Sequence, residues 1–231
     1  MRLRLIYSRE GLIRFTSHRD TLRIFFRAFS RSRVPVCFSG GFNPHPRVEF
    51  CPPLSLGMEG RAEEMDLRLE SPVDPAVAVE AINLYLPQGL RAVSGRLLAE
   101  GCPKLGKELE GGIYLLFPEG PAAPEPGAVE RFLGAERAPY VRKKPDGDKT
   151  IDARRGVARV ELAGGNDDIR MEMEILFAGG PRPVEVLSLL TGIPPGELAG
   201  VRIVRTGFRR KPAAAVAAPA KEEGYEETDI D

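Results

Sequence analysis

The order in which two hydrophobic periodicities alternate along the chain restricts its fold more than any single residue does. Residues 1–8 alternate, with Leu3, Leu5 and Tyr7 on one side and Arg2, Arg4 and Ile6 on the other, which is the period of a strand. Gly11 turns the chain into a second short strand expected over 12–15. A helix then opens at Ser17, because Leu22, Phe25, Phe26 and Phe29 recur at helical spacing. It stops before Pro35, since Val34 is pushed out of the α region by the proline that follows. Strands are expected over 48–51 and 64–69. A helix over 76–86, opened by Asp74 and Pro75, and a strand over 90–98 follow.

The second half reads in the same order. The patterns predict a strand over 112–117, a short helix over 126–133, strands over 139–144 and 157–162 around a polar connection, a strand over 169–177, a helix over 183–190 and a strand over 201–208. Strand, helix, strand, strand, helix, strand is the order of a ferredoxin-like unit. The expected fold class is therefore α+β. Two tandem ferredoxin-like modules with antiparallel sheets would occupy 1–100 and 111–210 and join near 101–111. Residues 211–231 have no periodicity and read as a disordered acidic tail.

Chemistry-bearing residues concentrate between Arg14 and Pro53. That stretch holds both histidines, His18 and His45, and two of the three cysteines, Cys37 and Cys51. Ser17 suits a helix N-cap, and Asp20 three residues on can reach back to it while sitting against the positive helix end. Arg19, Arg23, Arg27 and Arg31 follow at intervals of four, so they form a slanting row beside the apolar face of the same helix. Downstream, Gly40 and Gly41 permit unusual dihedrals, and Pro44 and Pro46 hold Asn43 and His45 extended. The product is a stiff exposed loop that presents Phe42, Asn43, His45 and Arg47, and fixing such groups in advance lowers the entropy cost of binding.

The formal charge of the 231 residues is zero, with 33 basic and 33 acidic side chains, but the charge is unevenly placed. Residues 1–50 carry ten arginines against Glu10, Asp20 and Glu49, a net of +7, whereas residues 221–231 carry six acids against Lys221, a net of −5. A basic front matches a polyanionic partner, and arginine, with its bidentate fork, suits phosphate or carboxylate better than lysine does. A solvated arginine face with no ligand is the plain alternative. Cys37, Cys51 and Cys102 are odd in number and lack a Cys-x-x-Cys spacing, which fits a reduced cytoplasmic chain. No run of eighteen apolar residues exists, and the alternation after Met1 is no signal peptide, so a membrane partner is not expected.

No cofactor is expected either. Gly40-Gly41 does not lead into Gly-Lys-Ser/Thr, a dinucleotide fingerprint is missing, and no cysteine-rich cluster motif is present. Cys37, His45, Cys51 and His18 are zinc-compatible ligand types at spacings that fit no zinc pattern, so no metal is expected and the cysteines read as small core residues. His18 and His45 remain candidates for an acid–base pair, since imidazole is tuned for proton transfer near neutral pH and two of them can cleave RNA without metal. Asp152, Arg154 and Arg155 lie in the polar connection and could face a site from the second half. Arg202 and Arg205, three apart in the last strand, are expected on opposite faces.

Several of these runs resemble the radical SAM-linked family, bacterial proteins found beside, or fused behind, cobalamin-binding radical-SAM proteins. The runs are Ser17-His18 with Asp20, Gly41-Phe42-Asn43-Pro44-His45-Pro46, Pro52-Pro53-Leu54 with Leu56-Gly57, and Glu63-Glu64-Met65-Asp66. Lys149 to Arg154 and Val201 to Gly207 resemble it as well. One departure is Gly40, where the family usually has glutamine. The resemblance implies an accessory role and a cobalamin-binding radical-SAM protein as partner. With the charge pattern, the leading expectation is an RNA-binding accessory protein. Arg19, Arg23, Arg27 and Arg31 would hold phosphates, Phe42 would stack a base, Asn43 and His45 would hydrogen-bond it, and Arg47 would flank it. The alternatives are a metal-independent ribonuclease using His18 and His45, and a protein-interaction subunit whose arginine row docks on an acidic surface.

Overall fold

The strands expected over residues 1–8 and 201–208 both form, and they lie in one sheet. The computed structural model describes residues 1–143, 145, 147–164 and 169–212, and shows a mixed α+β protein whose sheet is mostly antiparallel. The front half contains β1 (Arg2–Arg9), α1 (His18–Ser32), β2 (Val48–Phe50), β3 (Glu59–Arg68), α2 (Pro75–Asn83) and β4 (Leu90–Leu98). A short helix, α3 (Leu105–Glu108), leads to β5 (Leu109–Phe117), α4 (Ala128–Gly134), β6 (Pro139–Arg142), β7 (Lys149–Asp152), β8 (Val157–Ala163), β9 (Arg170–Leu176), α5 (Pro183–Thr191) and β10 (Arg202–Arg210). The expected tail lies, from residue 213 on, outside the described residues.

In the front half β4, β1, β3 and β2 lie side by side, each antiparallel to its neighbour. In the second half β10, β5, β9 and β8 lie in the corresponding order, again antiparallel. The two sets are joined in one sheet, not in the two separate antiparallel sheets that the order of elements predicts. β2 is only three residues long and pairs the far part of β3, through Val48↔Leu67 to Phe50↔Met65. The first residues of the ten-residue β3 are left with an open edge, and β10 takes it in parallel at Val204↔Glu59 and Arg205↔Gly60.

Residues opposite each other across a strand pair share a face. Leu5 lies opposite Met65, Tyr7 opposite Glu63, Arg205 opposite Tyr114, and Tyr114 opposite Met173. Two apolar cores therefore form on one side of the sheet. Leu3, Leu5, Met65 and Leu67 pack with Phe25 and Phe29 of α1 and Ala78 and Ile82 of α2. Leu116, Met171, Met173 and Ile175 pack with Phe132 of α4 and Val186, Leu187 and Leu190 of α5.

Three local expectations change. Residues 12–15 are part of a 3-10 turn over Gly11–Phe15 rather than a strand, and Gly57 donates its N–H to the Arg14 carbonyl there. The strand expected over 64–69 begins five residues earlier, because the charges at its start are paired inside the protein. The polar connection after residue 142 contains β7, which pairs with β6 as a separate hairpin. The end of α1 also differs in detail: Arg33 adopts a left-handed φ of 58° before Pro35 is reached. No helix among the described residues is long and apolar enough to cross a membrane.

Candidate functional site

The start of α1 is built by a buried arginine. Arg9, 4 % exposed at the end of β1, donates to the carbonyls of Ile13, Arg14 and Thr16 at 2.7–3.3 Å and so fixes the turn that delivers Ser17. Burial lowers the pKa of this guanidinium, but a group this basic keeps its proton. Ser17 caps the helix by accepting from the Asp20 N–H at 3.1 Å, and its hydroxyl donates to the Asp20 carboxylate at 2.6 Å. That hydroxyl, above all, holds Asp20 below the usual carboxylate range.

His18 follows on the first turn. It is exposed by area, yet its ring stands edge-on to Phe50 with centroids 6.1 Å apart. Desolvation, and secondarily the charge of Arg9, lower its pKa. The unfolded chain therefore binds the proton more readily, and stability falls as pH drops below the ordinary histidine range of about 6.5. The urea midpoint is expected to be lower at pH 5.5 than at pH 7.5, with a smaller difference in His18→Gln; an unchanged difference would assign the effect to other groups.

Along α1 the arginine row stands in solvent. Arg19, Arg23, Arg27 and Arg31 are all exposed. Arg23 shares its charge with Asp20 at 3.4 Å, a partnership that water weakens. Arg31 sits in the last turn, where a cation also suits the helix dipole. Three of the other front arginines are paired with carboxylates. Arg2 and Arg4 meet Asp66, and Arg14 meets Glu59. The excess charge read from the sequence is thus concentrated on α1, with Arg33 and Arg47 exposed nearby in the chain.

The loop that follows is pinned at both legs. Ser39 donates its N–H to the His45 carbonyl at 2.8 Å, and its hydroxyl accepts from the His45 N–H at 2.9 Å. Phe38 bridges Pro46, while Cys37, Arg47 and Arg68 are linked through backbone hydrogen bonds to the end of β3. Pro46 is buried, and the tip, Gly40 to His45, is exposed. Only Gly41 of the two glycines needs its freedom, with φ of 104°. A Cβ at Gly40 would meet nothing within 4 Å, so space does not require glycine there. His45 stands 6.1 Å from the Phe26 ring of α1, which places the loop over the helix.

The two histidines are held against different rings, Phe50 and Phe26. On α1, positions 18 and 26 are about 12 Å apart along the axis at 1.5 Å per residue. Among the described residues, no group of three histidine, cysteine or acidic side chains is placed to hold a metal.

Sequence reasoning missed the seam between the two cores. Arg205 is 1 % exposed and donates through Nε to Glu63 at 2.8 Å, through Nη2 to the second Glu63 oxygen, and to the Pro52 carbonyl at 2.7 Å. Burial alone would lower its pKa, but Glu63 outweighs burial and raises it. The Cys51 thiol lies 3.4 Å from Glu63, and burial raises its pKa well above the ordinary value, which makes it an inert thiol. Tyr7 and Tyr114 close the seam from β1 and β5, both with pKa raised by burial. The signal was present in the resembling runs, since Pro52, Glu63 and Arg205 come from three of them, but no periodicity brings them together.

On the opposite face, Arg4 donates to Asp66 at 2.7 Å and to Glu108 at 2.6 Å, and Arg210 reaches Glu64 and Glu108. Glu64 Oε2 has no hydrogen-bond partner but lies 3.6 Å from Arg4. Arg202 of the same strand is exposed and bonds Glu59 at 2.9 Å, whereas Arg205, three residues on, is buried. Asp152 accepts from the N–H groups of Ala138 and Arg154 and steadies a turn.

An α+β protein with one exposed arginine helix and a pinned aromatic loop, built on a sheet whose buried charges are paired, is the class these observations define. The chain belongs to the family described as "Uncharacterized protein conserved in bacteria (DUF2344)", which matches residues 2–183. No curated protein matches. Among solved structures the chain is similar to one titled "Crystal Structure of an Unknown Protein from Galdieria sulphuraria", at 14 % identity and a TM-score of 0.26, covering 91 % of this chain and 98 % of that one.

Proposed function

We propose that this chain is an RNA-binding accessory protein of a cobalamin-binding radical-SAM system, acting in the cytoplasm. We also read its halves as two ferredoxin-like modules fused edge to edge, a reading supported by their matching strand orders. The observation that carries the RNA reading is the arginine row. Arg2, Arg4 and Arg14 are paired with carboxylates inside the protein, while Arg19, Arg23, Arg27 and Arg31 stand exposed on one helix beside the loop of Phe42. A structural role would not require the charges to be left in water at this density. The radical-SAM partner is supported by the sequence resemblance, and the cytoplasm by three free cysteines.

The test is binding of the purified full chain to total cellular RNA at 50 and at 200 mM salt. Four phosphate contacts give a log–log salt slope of about −3 for single strands, so affinity falls roughly 50-fold between the two conditions. No binding at 50 mM overturns the reading and moves the arginine row to an acidic protein surface, to be sought by co-purification. Binding that ignores salt would also overturn it, because phosphates would not be the contact.

A further inference from the structure

We infer that the RNA taken by α1 and the loop over residues 39–46 is an unpaired strand, held by phosphates on the arginine row and by one base stacked on Phe42. Paired RNA is then a poor ligand. The inference rests on the RNA reading above and adds the form of the nucleic acid.

Phe42 is the most exposed large apolar side chain among the described residues, at 105 % of its reference area. A lone exposed ring on a surface is ordinary and calls for no role. This one differs in its setting. It stands at the tip of a loop whose legs are tied by Ser39, His45, Phe38 and Pro46, so the ring is presented rather than trailing. Its neighbours at 40 and 41 are glycines, and no side chain there shields either face of the ring. The loop is seated on Phe26, which shares the side of α1 carrying Arg19 and Arg23, so the ring and the cations belong to one surface.

Such a surface separates the two forms of RNA. The bases of a duplex are stacked on each other, and the deep, narrow major groove of an A-form helix shuts out side chains. A duplex can therefore give the arginine row its phosphates but gives Phe42 no base face. An unpaired strand gives both at once. Sequence preference should be slight, because every base has a face to stack. Asn43, beside Phe42 at the tip, is the residue placed to add preference through a base edge. From Arg19 to Arg31 the row spans about 18 Å of helix, so the site covers only a few nucleotides.

The experiment measures fluorescence anisotropy of a labelled mixed-sequence single-stranded 12-mer RNA, and of the same sequence annealed to its complement, at 50 mM salt. Full chain, Phe42→Ala and Phe42→Trp are compared. The single strand is expected to bind about tenfold or more tightly than the duplex, within the range that stacking of one base supplies. Phe42→Ala should remove that preference without weakening duplex binding, and Phe42→Trp should restore it. Because Phe42 packs against nothing, both variants fold. Equal affinity for the two forms, or a preference that survives Phe42→Ala, overturns the inference and leaves the RNA reading standing. Failure of both RNAs to bind at 50 mM salt overturns the RNA reading itself.

Discussion

Arg205→Ala is expected to destabilise the protein by about 3–5 kcal/mol, the cost of leaving a buried charge without its partner. For a chain of this size that lowers the melting temperature by roughly 6–20 °C. Three losses combine. Glu63, 2 % exposed, would lose its hydrogen-bonded arginine, the Pro52 carbonyl would lose its donor, and a void would open between the two cores. Glu63→Gln should be milder, since the amide oxygen still accepts one hydrogen bond. The double variant Arg205→Met/Glu63→Leu separates charge from packing, because replacing a buried ion pair by apolar groups is often neutral or stabilising. Thermal melts of the four proteins decide it. If Arg205→Ala melts within 2 °C of wild type, the pair is not the joint described here.

The second large effect is on binding. Arg23→Glu/Arg27→Glu is expected to weaken binding of single-stranded RNA at least about 100-fold, since two phosphate contacts become two repulsions and like charges brought together cost several kcal/mol. Both side chains are exposed, and only the weak Arg23–Asp20 pair is lost. Surface changes of this kind stay within about 0.5 kcal/mol in stability. The variant should therefore melt like wild type and show a flatter salt dependence than the roughly −3 slope of the intact row. A variant that binds RNA as tightly as wild type would place the interface elsewhere on the molecule.

These two sets of residues differ in how far the sequence revealed them. The arginine row was legible because helical periodicity is local. Phe25 and Phe29 at the core fix which side of α1 is dry, and residues 19, 23, 27 and 31 then have no choice but to face water. The pinned loop was legible for a similar reason, since two prolines restrict the backbone and Gly41 permits the positive φ it needs, whatever surrounds them. The register of β1 was readable as well, with Leu3, Leu5 and Tyr7 on one side.

The seam was not legible, although every one of its residues is ordinary in type. At the start of a strand that carries Glu59, Glu63, Glu64 and Asp66 no apolar pattern marks the strand, and the sequence predicts it only over 64–69. In the folded protein it lies between β1 on one side and β2 and β10 on the other. What makes this possible is the set of arginines delivered from 45 to about 150 residues away, Arg14, Arg202, Arg205 and Arg210 among them. Likewise, the sequence reading found two halves of the same order but not that they share a sheet, because the joint depends on β2 being too short to cover β3.

The sequence by itself determined α1, α2, α4 and α5, the apolar side of β1 and the cationic row of α1, since these follow from spacings of two to four residues. Only the tertiary structure decided which charges are buried, which strand bridges the halves and which arginines remain free for a ligand. The physical reason is that a charge reads as exposed until its partner is known, and partners in a sheet are chosen by long-range strand pairing rather than by local pattern.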